Sequence, residues 1–304
     1  MNKVLMSNIL LIIAAFIWGA NGIFQKIAAS DIGPFTFMSI RTLLGSMVLL
    51  IICAYFEKKA AGKLSVATIK GKYDRNYIKR LMYCAPFCGV VNVLGSVLVQ
   101  IGLEYTTAIK TAFITSTYIV FVPILGILFF KNKISKNAVL GVVLATVGLY
   151  FLCMKESLTI EKYDIIILGS TMMFALHIQL IGKYVHEFVG VHFSFVEFAF
   201  ASLVCGVIAF IVEEPTMEQI SMCWMSLAFT GIFGIGVCYA MQVTAQKYTD
   251  PTIAALLMSL EAVFSAILGV LILGESITSK EMIGVAFIFV AVMLSQIPAK
   301  AKKG

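Results

Sequence analysis

Of 304 residues, 60% are hydrophobic and only 13% charged, with a net charge of +7 and a mean hydropathy of +0.97. Soluble domains run about 45–50% apolar and about 25% charged, so this balance excludes a soluble domain and points to an all-α integral membrane protein. In a soluble chain the positive charge would suggest nucleic acid; here it is read by its location along the chain, and no nucleic-acid partner is expected.

A membrane-crossing helix needs roughly 20 mostly apolar residues. That rule predicts ten transmembrane helices, near residues 6–29, 35–56, 81–103, 107–130, 137–154, 164–183, 191–212, 221–246, 251–273 and 281–298. The first is expected to be retained, being longer than the apolar core of a signal peptide and lacking a cleavage site. Turn-rich gaps such as SDIGP after the first span and YTDP before the ninth fit tight helical hairpins. All seven cysteines lie in or beside apolar runs, where they are expected as small buried residues rather than disulfides or metal ligands. Gly231, Gly234 and Gly236 follow no strand, so they are expected to permit close helix packing rather than to bind a dinucleotide.

Orientation follows from Lys and Arg in the short loops. With the N-terminus inside, the inner segments carry Lys3, the cluster from Lys58 to Arg80, Lys131, Lys133, Lys136, Lys183, Lys247, Lys300, Lys302 and Lys303. The opposite loops carry only Lys155, Lys162 and Lys280. Both termini are therefore expected in the cytoplasm, in an inner or plasma membrane. The basic loop 57–80 reads as a topology signal lying on anionic headgroups; a regulatory or partner site is the other reading.

The fourth and ninth spans align without gaps. YTTAIKTAFITSTYIVFVPILGILFFKNKIS, from Tyr105, matches YTDPTIAALLMSLEAVFSAILGVLILGESIT, from Tyr248, at a constant offset of 143. Identities include the Tyr-Thr start, Ser116/Ser259, Phe121/Phe264 and Gly126/Gly269, then Gly141/Gly284 in the following span. Two five-helix repeats are expected, residues 1–156 and 157–304. An odd number of spans inverts the second repeat, an architecture common in secondary transporters.

With these features the chain resembles the EamA-type family of the drug/metabolite transporter superfamily. The resemblance is carried by SLEAVFSAILGVLILGESITSKEMIGVAFIFVAVML and by Trp18-Gly19 near the first span. Ala262 stands where that family has proline, while the first copy has Tyr118 at the Glu261 position and Pro123 a turn later. The resemblance implies a transporter whose central cavity is built by spans 1, 3, 4, 6, 8 and 9; it leaves the substrate open.

Ionisable groups within spans usually face the bundle interior or a watery cavity. Glu261 lies ten residues into its span, roughly 15 Å deep at the helical rise. It is either a proton-titrating or cation-binding carboxylate, or a buried one tied to backbone or tyrosine. Arg41 could take a substrate carboxylate or phosphate with its planar fork, or it could snorkel or form a structural pair. A direct bond to its approximate repeat mate Glu197 is not expected, because inversion puts the two at opposite depths; Glu197 is expected to be structural. His177 is a candidate proton carrier or a packed core histidine. Lys26 and Lys110 are expected to snorkel. His186, Glu187 and His192 match no metal motif, and neither metal nor cofactor is expected. The uncharged set Trp18, Asn21, Gln25, Asn92, Gln100, Tyr118, Gln179, Tyr239, Gln242 and Gln246 suits a cavity for a small polar or amphipathic metabolite.

The resulting expectation is a secondary transporter working by alternating access, as monomer or homodimer. Its leading use is export of amino acids or related compounds, coupled to protons if Glu261 or His177 titrates. Uptake or exchange of a polar or nucleotide-related solute is the alternative. A membrane-embedded enzyme is disfavoured because no nucleophile–base or metal set converges. An ATP-driven pump is disfavoured because no Walker A motif occurs.

Overall fold

A computed structural model describes residues 3–61, 73–153, 161–273 and 278–295. Residues 62–72 of the basic loop, both chain termini and Glu275 of the Leu-Gly-Glu step lie outside the described residues. Among the described residues every regular element is a helix. They are α1 (Lys3–Ala28), α2 (Pro34–Ala61), α3 (Arg75–Tyr105), α4 (Ala108–Ser116), α5 (Tyr118–Phe130), α6 (Lys136–Cys153) and α7 (Lys162–Tyr184). There follow α8 (Gly190–Val212), α9 (Met217–Met222), α10 (Trp224–Phe229), α11 (Cys238–Gln246), α12 (Pro251–Met258), α13 (Leu260–Leu273) and α14 (Ser279–Ser295), with a π-helical stretch, Thr230–Val237, joining α10 to α11. Among the described residues, eight segments are long and apolar enough to cross a membrane; Lys136–Phe151 and Met282–Ser295 are shorter apolar helices. The protein is a multi-pass membrane protein.

Helix starts follow local capping chemistry. Asp74 accepts from the Tyr77 N–H at 2.7 Å and starts α3, about two turns ahead of the apolar run. Thr107 caps α4, a Glu161/Asp164 capping box starts α7, and Asp250 with Pro251 at the first turn starts α12. Each satisfies N–H groups that the helix itself leaves unpaired.

Two spans are interrupted by single residues that fall within one position of each other at the 143-residue offset. Thr117 separates α4 from α5, and Ser259 separates α12 from α13. Their hydroxyls bond back into the preceding turn, Thr117 to Ile114 O at 2.6 Å and Ser259 to Leu256 O at 2.8 Å. Such back-bonding competes with the ladder and bends helices. Tyr118 and Glu261 follow directly in the first turns of α5 and α13. The π-helical stretch leaves the Gly234 carbonyl accepting from Trp18 Nε1 at 3.0 Å.

The packing partners recur across the two halves of the chain. α2 lies along α8, α6 along α14, α3 along α7, and α1 along both α13 and α11. Reciprocal bonds tie α2 to α8: Ser39 Oγ donates to Ser202 O at 3.0 Å, and Ser202 Oγ to Ser39 O at 2.9 Å. Gly231 sits where a Cβ would come within 2.8 Å of Arg41 O and Leu44 Cβ, so the π-helical stretch touches α2 through bare backbone. Large apolar side chains such as Ile51, Phe210, Leu271 and Met293 face outward. In water that surface would aggregate; in a bilayer it meets lipid.

Candidate functional site

A cavity of about 820 Å³, its opening included, lies among α1, α2, α3, α4, α7, α11 and the α12–α13 junction. Helical periodicity builds its walls. α1 contributes Trp18, Asn21, Gly22 and Gln25, which share one face at i, i+3, i+4 and i+7. α4 contributes Ala108, Thr111, Ala112 and Thr115 at the same spacing. Phe174, His177 and Ile178 come from α7, Tyr239 and Gln242 from α11, Arg41 from α2, Tyr118 from α5 and Glu261 from α13.

The aromatic wall is held from behind. Tyr239 packs edge-on against Trp18 at 5.4 Å and against His177 at 5.8 Å between ring centroids, and its hydroxyl accepts from Asn92 Nδ2 at 2.7 Å. Arg41 does not snorkel: it is 4% exposed. Its Nη1 donates to Gln25 Oε1 at 2.6 Å, and its guanidinium lies 5.7 Å from the Phe37 ring centre. Among the described residues, Arg41 Nε, Asn21 Oδ1, Thr111 Oγ1 and Gln242 Oε1 are buried without a hydrogen-bond partner. Glu261 is half-buried, and among the described residues its carboxylate makes no hydrogen bond or ion pair.

The cavity thus brings together Trp18, Asn21, Gln25, Arg41, Tyr118, His177, Tyr239, Gln242 and Glu261. Asn92, Gln100, Gln179 and Gln246 do not line it, because their amides face other partners. Asn92 supports Tyr239, Gln100 donates to Gln25 O at 3.4 Å, and Gln246 donates to Ile178 O at 3.0 Å while accepting from Gln242. Gln179 lies on a different face of α7 and lines a second cavity with Asn132, Lys183 and Asp250. There it donates to Val122 O at 2.7 Å and accepts from Asn132 Nδ2 at 2.9 Å.

The lysines at span ends are bound rather than snorkelling. Lys26 Nζ donates to Leu103 O at 2.6 Å, and Lys110 Nζ lies 2.9 Å from Asp164 Oδ2. Glu197 was hidden from sequence reasoning as a partner: it is fully buried, its Oε1 lies 2.5 Å from His177 Nε2, and its Oε2 has no partner. The signal was present, since Glu197 interrupts an apolar run much as Glu261 does.

The EamA-like transporter family model matches residues 5–154 and again 161–296. The chain belongs to the EamA-like transporter family. Among curated relatives of this EamA-family chain, an uncharacterized transporter of Archaeoglobus fulgidus is 30% identical over 96% of the chain and 86% of its own length. One of Clostridium kluyveri is 23% identical over 94% and 92%, and the Bacillus subtilis uncharacterized transporter YoaV is 21% identical over 96% and 97%. A solved crystal structure shares the fold, with a TM-score of 0.74 at 10% identity over 98% of this chain and 99% of its own. The drug/metabolite transporter resemblance therefore holds, and the EamA-family chain is a membrane transporter acting on small molecules.

Proposed function

We propose that the protein is a secondary transporter that carries a small zwitterionic metabolite, an amino acid or close relative, by alternating access, with export coupled to protons. The carrying observation is the meeting of Arg41 and Glu261 at one cavity otherwise walled by aromatic rings and amides. A fixed guanidinium suits a carboxylate. A carboxylate without a protein partner suits an ammonium group. Trp18, Tyr118, Phe174 and Tyr239 offer apolar and cation-tolerant faces for the remainder.

Ten spans in two inverted five-helix repeats, 1–156 and 157–304, are the architecture of this reading. The breaks at Thr117 and Ser259 and the recurrent packing partners support it. Broken helices at a central site are a recurring device of transporters. Cytoplasmic termini fit the distribution of basic residues, and an inner or plasma membrane is the setting of this reading. The coupling ion of this reading is a proton, since His177 and Glu261 are the imidazole and the carboxylate on the cavity lining.

Counterflow in reconstituted vesicles tests the reading. With an imposed pH gradient, at least one amino acid of a broad panel should accumulate above the protein-free control. Movement of none of them, with folded protein in the vesicles, would sink the zwitterion reading.

A further inference from the structure

We propose that the coupling proton is carried by the His177–Glu197 pair, with Glu197 as its positioning residue, which leaves Glu261 free to bind the solute. The inference rests on the transport reading above and assigns its two charged sites different tasks.

The two carboxylates live in different settings. Glu197 is fully excluded from solvent on α8, and its one hydrogen-bonded partner is His177 Nε2 on α7, at 2.5 Å. An isolated buried carboxylate is costly, and removing one partner of a buried pair leaves that full penalty exposed. At 2.5 Å the two side chains share one proton, whether it is drawn as imidazolium–carboxylate or as neutral imidazole–carboxylic acid. Losing that proton leaves a carboxylate inside the bundle with nothing to neutralise it, so deprotonation favours a rearrangement of α7 against α8. Proton occupancy and helix packing are thereby linked. Glu261 is half-buried at the cavity and lacks a protein partner. Its charge is open to an incoming cation.

His177 also lines the cavity, which gives the buried pair a path to water. The titratable or charged groups near the pair are Tyr239 from α11 and Cys88 from α3, with Arg41, Tyr118 and Glu261 across the cavity. Arg41 opposes a second positive charge in the cavity, while Glu261 favours one. A solute that neutralises both removes opposing influences together, so solute and proton can occupy the protein in alternate legs of the cycle. The proton enters at His177 when the cavity faces outward and leaves by the same nitrogen when it faces inward. No bond other than N–H or O–H changes.

Titration of purified protein tests this without any solute. Wild type should bind a proton that both His177→Gln and Glu197→Gln lack. Glu197→Gln keeps a hydrogen-bond acceptor for His177 and so guards against misfolding. Loss of that proton in His177→Gln alone, with Glu197→Gln titrating as wild type, would overturn the pairing. In vesicles, the ratio of gradient-driven to gradient-free flux should fall about tenfold in either variant. An unchanged ratio would overturn the coupling role. If wild type moves no solute at all, the transport reading fails while the titration still decides whether the pair holds a shared proton.

Discussion

Glu213 and Glu57 stand at opposite ends of the α2–α8 helix pair, and each reaches from one helix to the start of the other. Glu213, just past α8, accepts from the Phe35 and Thr36 N–H groups at 2.9 and 2.8 Å and from the Thr36 hydroxyl at 2.6 Å, at the start of α2. Glu57, near the end of α2, accepts from Tyr73 Oη at 2.9 Å and lies 3.4 Å from His192 Nε2 near the start of α8. The offset is the same, 57 to 213 and 36 to 192, as the repeat reading requires of equivalent positions. Arg41 and Glu197 share it too.

Glu213 acts as the N-terminal cap that Pro34 and Phe35 cannot supply. Glu213→Ala should lower stability by about 1–2 kcal/mol, seen as a lower melting temperature in detergent. Glu213→Asp should recover less than half of that loss, its carboxylate falling short of both N–H groups.

Gly19 and Gly22 are neighbours on α1 with different surroundings. A Cβ at Gly19 would sit 2.9 Å from Phe264 Cβ and Ser265 N, whereas one at Gly22 meets nothing within 4 Å. Gly19→Val should force α1 away from α13 and destabilise by about 1–3 kcal/mol, the usual range for overpacking. Gly22→Leu should leave the melting temperature nearly unchanged yet abolish solute movement by filling the cavity. Flux and thermal unfolding measured on the same preparations separate the two.

Lys110 and Asp164 join α4 to α7 at 2.9 Å, with Asp164 Oδ2 also accepting from the Glu161 N–H. Lys110→Met should cost roughly 1–3 kcal/mol by leaving a largely buried carboxylate uncompensated; partial exposure keeps it below the full penalty of a buried pair. The double variant Lys110→Met, Asp164→Asn should regain part of the loss. A double-mutant cycle with no coupling would remove the pair from the account.

The chain has two tryptophans, and only Trp18 faces the cavity; Trp224 lies exposed on the outer surface. Binding of a transported solute should change the emission of wild type and of Trp224→Phe, but not of Trp18→Phe. A response confined to Trp224 would place the solute outside the cavity.

Much of this was legible in the sequence, and the rest was not for definable reasons. Hydropathy located the eight long apolar helices because burial in lipid demands length and apolarity. It missed the first turns of α3, which Asp74 caps through polar residues that carry no hydropathy signal. The interruptions at Thr117 and Ser259 involve neither proline nor glycine, so no breaker announced them. Residues of the cavity on α1 were readable from the spacing of Trp18, Asn21 and Gln25. The separation of Gln179 from the cavity was not, because rotation of α7 about its axis is set by packing against α3 and α5. Glu197 escaped for a similar reason: one apolar-flanked carboxylate looks like another until its partner is placed 2.5 Å away.

The zwitterion reading stands or falls on Glu261. Equilibrium counterflow of an amino acid that wild type exchanges, repeated with Glu261→Gln in vesicles of equal protein content, tests it most directly. The account predicts at least about a tenfold loss of exchange, the scale of one charge-assisted contact, with normal folding. Exchange by Glu261→Gln at the wild-type rate would contradict it.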